Sequence, residues 1–108
     1  MSSSFDTLSL GEKIEFWRNI ENKIKEALGQ CEGRLPAGVI EEVSDYLEHN
    51  ELGLAWEALG GELVTLEVVP ESAQQMMLEV GVCMGFNQAE TQNYVLWKKI
   101  GSLFNCGG

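Results

Sequence analysis

Residues 35–67 read LPAGVIEEVSDYLEHNELGLAWEALGGELVTLE, and this stretch decides the fold. Its apolar residues recur every three or four positions, which is the spacing of one face of an α-helix. A turn at His49–Asn50 separates two such patterns, and Asn50 is a favourable N-cap for the second. The stretch therefore predicts a helical hairpin with one apolar side. The apolar positions are Val39, Ile40, Val43 and Leu47, then Leu52, Ala55, Trp56, Leu59, Leu63 and Leu66.

The end of the second helix of this hairpin can be interpreted as helix or as strand. Gly60 and Gly61 interrupt it, and a close neighbouring helix, a kink or a helix end would each explain glycine there. Residues 63–69, LVTLEVV, have enough β-branched character for a short strand. We predict helix to about Glu67, because no second strand-like run exists to satisfy the hydrogen bonds of a strand.

The flanking sequence predicts three more helices, one before the hairpin and two after it. With residues 1–8 expected to be frayed, the chain of 108 residues is predicted to be one all-α domain, a compact bundle of about five helices. The expected bounds are Leu10 to Leu28, capped by Ser9 and ended by Gly29; Ala73 to Met84, capped by Ser72 and halted at Gly85; and a last helix capped by Asn87 that carries apolar residues as far as Phe104.

Charge is strongly segregated along the chain, whose net charge is −10. From Leu35 to Trp97 there is no Lys or Arg, whereas the rest of the chain has seven basic residues against six acids. Such a field favours encounter with a cationic partner, although a solvated acidic surface without a partner is the alternative. The acids of the segment are Glu41, Glu42, Asp45, Glu48, Glu51, Glu57, Glu62, Glu67, Glu71, Glu79 and Glu90.

The same composition argues against several classes of protein. The net charge argues against sequence-independent binding of nucleic acid, since phosphate repels negative charge. No apolar run is long enough for a membrane span, and the N-terminus lacks the pattern of a secretory signal, so we expect a cytoplasmic protein. Cys31, Cys83 and Cys106 lack the close pairing of zinc ligands, and we predict neither metal nor cofactor. Cys83 lies in an apolar, Met-rich stretch and is expected to be a core residue.

Catalysis also has little support in the sequence. His49 is the only histidine, and capping of carbonyls at a helix end is a simpler role for it than that of a general base. Acids on an exposed helical face make poor general acids, because nothing raises their pKa. No phosphate-binding loop and no hydrolase or metalloprotease motif is present. We therefore predict that the protein is not an enzyme.

The hairpin resembles a known family at Glu51–Glu57, ELGLAWE, together with the Leu35–Pro36 step before it. This Glu-x-Gly-x-Ala-x-Glu run is similar to that of small helical immunity proteins of polymorphic toxin systems, in particular the MafI-like group and those of bacterial contact-dependent growth inhibition. The chain departs from the family at Asn50, where glycine is common. The resemblance extends over about Leu35 to Ile100, but its specific part is only some dozen residues.

The resemblance implies a protein that binds the C-terminal domain of a cognate toxin, often a nuclease, inside the producing cell. Because a nuclease surface that holds nucleic acid is commonly basic, an acidic helical face suits it. Tyr46 is the best aromatic anchor, whereas Trp56 is expected in the core, and Gly53 and Ala55 in helix packing. The alternative is an acidic helical adaptor for another basic protein. The predicted binding residues are Glu41, Glu42, Asp45, Tyr46, Glu48, Glu51 and Glu57.

Overall fold

Five α-helices make up most of the residues that the computed structural model describes, which are 10–66, 68–103 and 105–106. The prediction of an all-α fold with about five helices is confirmed. A short 3₁₀ helix, Glu32–Arg34, follows the first helix, and two strands of two residues each complete the described elements. The elements are α1 (Leu10–Cys31), α2 (Ala37–Glu48), α3 (Leu52–Leu63), β1 (Val69–Pro70), α4 (Glu71–Cys83), α5 (Tyr94–Gly101) and β2 (Asn105–Cys106).

The helices pack in two main pairs. α1 lies along α4, and α2 and α3 form the predicted hairpin, while α5 packs on both α3 and α4. Every helix contributes apolar side chains to one buried cluster, as the helical spacing of these residues predicts. Its members include Ile20 and Ile24 of α1, Val43 of α2, Trp56 and Leu59 of α3, Met77 of α4, and Ile100 of α5.

Glycine lets α5 approach its two neighbours closely, and we call the region where α3, α4 and α5 meet the α5 seam. A Cβ atom on Gly60 of α3 would lie 2.9 Å from Cδ1 of Ile100. A Cβ atom on Gly81 of α4 would lie 2.3 Å from Cδ1 of Trp97, which is closer than Cβ atoms come to other atoms in proteins. Close approach is therefore the correct explanation for Gly60, whereas a Cβ on Gly61 would meet nothing within 4 Å.

Three polar side chains tie the α5 seam together by donating to backbone carbonyls. Trp56, which is fully buried as predicted, donates from Nε1 to the carbonyl of Met77 at 2.8 Å. Trp97 donates to the next carbonyl along α4 at 3.1 Å. The buried Gln74 donates to the carbonyl of Ile100 at 2.8 Å, which satisfies a group in the last turn of α5. Two of these side chains, Trp56 and Gln74, are buried, and each of the three polar groups has a hydrogen-bond partner.

Asn50 is not the N-cap that we predicted but the residue that reverses the chain after α2. Its φ is 58°, a left-handed conformation that asparagine tolerates better than most residues. Its N–H donates to the backbone carbonyl of Leu47 at 3.1 Å, and the N–H of Glu51 donates to the backbone carbonyl of Tyr46 at 2.8 Å. These two bonds form a Schellman motif, and the same motif ends α4 at Gly85, where φ is 81°.

The second hairpin helix is shorter than predicted. It ends at Leu63, and the chain continues in turns over 64–66, where the N–H groups of Thr65 and Leu66 bond to carbonyls three residues back rather than four. Thr65 contributes, because its hydroxyl donates to the carbonyl of Glu62 at 2.6 Å and so satisfies a group at the helix end. Glu67, the predicted last residue, lies outside the described residues.

A short parallel pair of strands corrects the view that residues 63–69 have no strand partner. Val69 pairs with Asn105 and Pro70 with Cys106, so the pair joins the start of α4 to the segment after α5. Asn105–Cys106 has none of the alternating apolar pattern of a strand, which explains why the sequence does not reveal it.

The last helix begins later than predicted. Turns occupy the chain from Asn87 until α5 begins at Tyr94. The hydroxyl of Thr91 donates to the carbonyl of Gln88 at 2.9 Å, an alternative to helical bonding that threonine offers readily. Phe104, which we placed on the apolar stripe of this helix, lies outside the described residues.

Two further boundary predictions differ from the structure. Ser72 does not cap α4, which begins one residue earlier; its hydroxyl instead accepts a hydrogen bond of 2.8 Å from Gln30 of α1. Gly29 does not end α1, which continues to Cys31 because a single glycine weakens a helix without breaking it. Ser9 and the frayed start predicted for residues 1–8 lie outside the described residues.

Candidate protein-binding surface

The acids of α2 form a continuous stripe on its solvent side. Glu41, Asp45 and Glu48 are spaced by four and three residues, so they share one face of the helix, and all three are exposed. Val43 and Leu47 are buried on the opposite side. Packing of these two apolar residues against the core therefore orients the whole stripe towards solvent.

Tyr46 lies on a second stripe of α2, between Glu42 and His49 at spacings of four and three residues. Glu42 and His49 are exposed, whereas Tyr46 is half-buried and packs against the edge of the core. An aromatic side chain that packs against the core on one side and faces solvent on the other can serve as a rigid anchor for a partner.

The remaining two predicted acids, Glu51 and Glu57, lie outside α2. Glu51 is exposed in the turn between the helices and occupies the N-cap position of α3, although its side chain makes no capping hydrogen bond. Glu57 is exposed on α3 itself and so belongs to a different helix from the two stripes. We call the set the acidic face. It consists of Glu41, Glu42, Asp45, Tyr46 and Glu48 on α2, Glu51 in the turn and Glu57 on α3.

The ion pairs formed by Lys23 and Lys25 lie outside the acidic face. Within the described residues, Lys23 pairs with Glu79 of α4 at 2.9 Å, and Lys25 pairs with Glu21 of its own helix at 2.9 Å. Among those residues no Lys or Arg forms an ion pair with a carboxylate of the acidic face. The negative charge of the hairpin is therefore not compensated by the described part of the chain.

His49 ends α2 and takes the capping role expected of it. Its Nδ1 lies 2.8 Å from the backbone carbonyl of Asp45 and 3.6 Å from Oδ1 of the same residue. The hydrogen bond to that carbonyl, followed by the charge of the carboxylate, raises the pKa of His49 above 6.5. Protonation of His49 therefore makes the acidic face less negative at mildly acidic pH.

A cleft beside the hairpin turn adds apolar residues that the sequence analysis does not single out. It has a volume of about 440 Å³ and is open rather than enclosed. A smaller cleft of about 210 Å³ adjoins it and shares Trp17 and Asn50 with it. One feature of the sequence indicates the larger cleft: Leu54 is an apolar residue that does not belong to the apolar stripe of α3. The larger cleft is lined by Trp17, Asn50, Glu51, Leu52, Gly53, Leu54 and Met84.

The cysteines divide between core and surface. Cys31 is buried, and burial raises the pKa of its thiol, which disfavours the reactive thiolate. Cys83 is exposed, which contradicts its assignment to the core. It is the last residue of α4, and its neighbours Val80 and Gly81 occupy the buried side of that helix instead.

Searches for a metal site and for a membrane span gave no candidates in the described part of the chain. No cluster of three or more His, Cys, Asp or Glu side chains there could hold a metal ion. No helix of residues 10–66 or 68–103 combines the length and the apolar character that crossing a bilayer requires. Comparison of the chain with protein-family models, with curated proteins and with solved structures finds no match.

Proposed function

We propose that this chain is a non-catalytic binding protein whose partner presents a basic surface. The observation that carries the proposal is the acidic face, in which exposed acids occupy adjoining stripes of α2 without an ion-pairing Lys or Arg among the described residues. Uncompensated charge of one sign costs stability through self-repulsion, and a partner of opposite charge gives it a function. Complementary charge of this kind accelerates encounter and selects the partner.

Within that class, the proposed protein is an immunity protein that neutralises a cognate toxin domain in the bacterial cytoplasm. The support is the Glu51–Glu57 run, which resembles MafI-like and contact-dependent growth inhibition immunity proteins. Asn50 is a departure from that family in residue type only, because its φ of 58° lies in the region that glycine also adopts readily. The substitution therefore keeps the backbone turn that precedes the run.

A nuclease is the toxin that the charge suits best. An enzyme that cleaves nucleic acid must hold a polyanion, so its substrate channel is basic. The acidic face is presented by a helical hairpin packed on the core, and its acids can take the place of phosphates without rearrangement of the backbone. Blocking of the channel would then inhibit the toxin without any chemistry by this chain.

Co-expression tests this proposal directly. Immunity proteins of such systems are encoded directly downstream of their toxin gene, so the proposed partner is the C-terminal domain encoded immediately upstream of this chain. That domain is expressed in bacteria alone, together with this chain, and together with an unrelated acidic helical protein of similar size and charge. We expect growth arrest in the first and third cultures, growth in the second, and a complex recovered only from the second. Arrest in all three cultures, or a harmless upstream domain, would contradict the proposal and favour the adaptor alternative.

A further inference from the structure

The cleft beside the hairpin turn lies at the end of the acidic face. Glu51 belongs to both, and it is the only charged residue among the described residues that line the larger cleft. The apolar walls come from three helices or their ends: Trp17 from α1, Leu54 from α3, and Met84 from the residue after α4. The fold thus assembles an apolar depression next to uncompensated negative charge.

Exposed apolar side chains gather at this place. Leu54 is 45% exposed and lines the larger cleft, and Ile14 is 51% exposed and lines the smaller one. A single exposed leucine on a protein surface needs no explanation, but neighbouring apolar side chains around a depression are typical of a binding site. Trp17, which lines both clefts, is the kind of residue that dominates binding energy at such sites.

The charge around the cleft restricts the occupant. Asp45, Glu48 and Glu51 lead up to the turn, and none of them has a Lys or Arg partner among the described residues. Arg18 and Glu21 of α1 both line the smaller cleft, and Glu21 pairs with Lys25, so the acids without a Lys or Arg partner at this place lie on the hairpin side. A second copy of this chain would bring a net charge of −10 towards these acids, whereas a basic surface is attracted.

We propose that the cleft receives an apolar side chain projecting from the basic surface of the toxin domain. This inference rests on the function proposed above and adds a second element to its interface. The acids attract and orient the basic surface, while the inserted side chain fills the cleft between Trp17, Leu54 and Met84 and slows dissociation. Interfaces commonly combine a desolvated apolar anchor with a charged rim in this way.

The test compares three variants of the full chain by surface plasmon resonance against the upstream-encoded domain. Leu54→Asn replaces the side chain by a polar one of similar shape, whereas Leu54→Met keeps an apolar side chain at this position. Val95→Thr is the control, because Val95 is 61% exposed but lines a different groove with Lys98 and Lys99. We expect Leu54→Asn to raise the dissociation rate about tenfold or more, the size typical of an anchor residue. The other two should stay within about threefold of wild type, as expected for near-neutral contacts.

Salt separates this contact from the acids, because added salt screens exposed charges and leaves an apolar contact in place. The effect of Leu54→Asn should therefore be the same in low and high salt. If the wild-type chain binds and Leu54→Asn dissociates at the wild-type rate, the cleft is not part of the interface, while the acidic face remains a candidate. If the wild-type chain itself does not bind in low salt, both the proposed function and this inference are wrong.

Discussion

The α5 seam and the acidic face differ in where their polar groups find partners. At the seam, Trp56, Gln74 and Trp97 each donate a hydrogen bond to a backbone carbonyl, and glycine makes the close approach possible. On the acidic face the carboxylates have no Lys or Arg partner among the described residues. Packing thus explains the residues of the seam. The acids contribute little to packing, so a reason for their arrangement has to be sought in what they meet outside the chain.

Truncation of Trp56 at the seam should have the largest effect. Trp56→Ala removes a fully buried ring and leaves the carbonyl of Met77 without this donor. We expect the free energy of unfolding to fall by about 3–5 kcal/mol, as for large-to-small changes of aromatic residues in a core. Urea denaturation followed by circular dichroism measures it. A loss below about 1 kcal/mol would mean that the seam is not a tightly packed part of the core.

A pair of glycine variants sharpens the comparison within the helices themselves. Gly81→Ala places a Cβ against Trp97 and should lower the free energy of unfolding by about 1–3 kcal/mol through overpacking. Gly61→Ala meets open space and should raise it by about 0.5–1 kcal/mol, because alanine favours helix. Thermal unfolding of both variants checks the opposite signs. Equal effects would show that α5 does not approach α4 closely at Gly81.

Truncation of Tyr46 should affect binding more than folding. Tyr46→Ala removes a half-buried side chain at the edge of the core, so some loss of stability is expected as well. We expect the binding free energy to weaken by about 2 kcal/mol, mostly through faster dissociation, if Tyr46 is an anchor. Surface plasmon resonance with the upstream-encoded domain measures it, below the unfolding temperature of the variant. Ser44→Ala, at an exposed position of the same helix, is the control and should bind as wild type.

The smallest effect concerns the titration of His49. The pKa of His49 should lie above 6.5, and Asp45→Asn should lower it only in part, because the hydrogen bond to the backbone carbonyl remains. A raised pKa in the folded state stabilises the fold below the unfolded pKa, and this contribution is lost as pH rises through the folded pKa. Since His49 is the only histidine, one proton NMR resonance reports it. A pKa at or below 6.5 would contradict the contact with Asp45.

The sequence predicts the helices of this fold better than their ends. The helical spacing of Val43, Leu47 and Trp56 predicts that one face of each helix is buried, and all three residues are buried in the structure. The ends depend on local contacts that leave weaker signals: Thr65 closes a turn after α3, and Asn50 takes a left-handed φ rather than capping α3. Helix boundaries are therefore the part of the fold that spacing alone determines least.

The candidate site shows the same limit. Exposure of the acids followed from their position opposite Val43 and Leu47, so the sequence sufficed for the α2 stripe. The cleft could not be predicted, because Trp17 and Leu54 are distant in sequence and meet only when α1 packs beside the hairpin turn. Cys83 illustrates the converse error, since an apolar neighbourhood in sequence did not bury it.

The most direct test of the central claim measures association with the upstream-encoded domain after charge reversal. Asp45→Lys with Glu48→Lys reverses two exposed acids of the acidic face, and Glu15→Lys with Glu26→Lys reverses two exposed acids of α1. Both double variants change the net charge by the same amount, so they separate the position of the charge from its total. Neither should alter the free energy of unfolding by more than about 0.5 kcal/mol per site.

If the acidic face binds the toxin domain, the reversal on α2 slows association about tenfold or more in low salt and makes it less sensitive to salt. The reversal on α1 should have a much smaller effect in stopped-flow or surface plasmon resonance measurements. Association of the folded α2 variant at the rate of the α1 control would contradict the account, and the acidic face would then be a solvated surface.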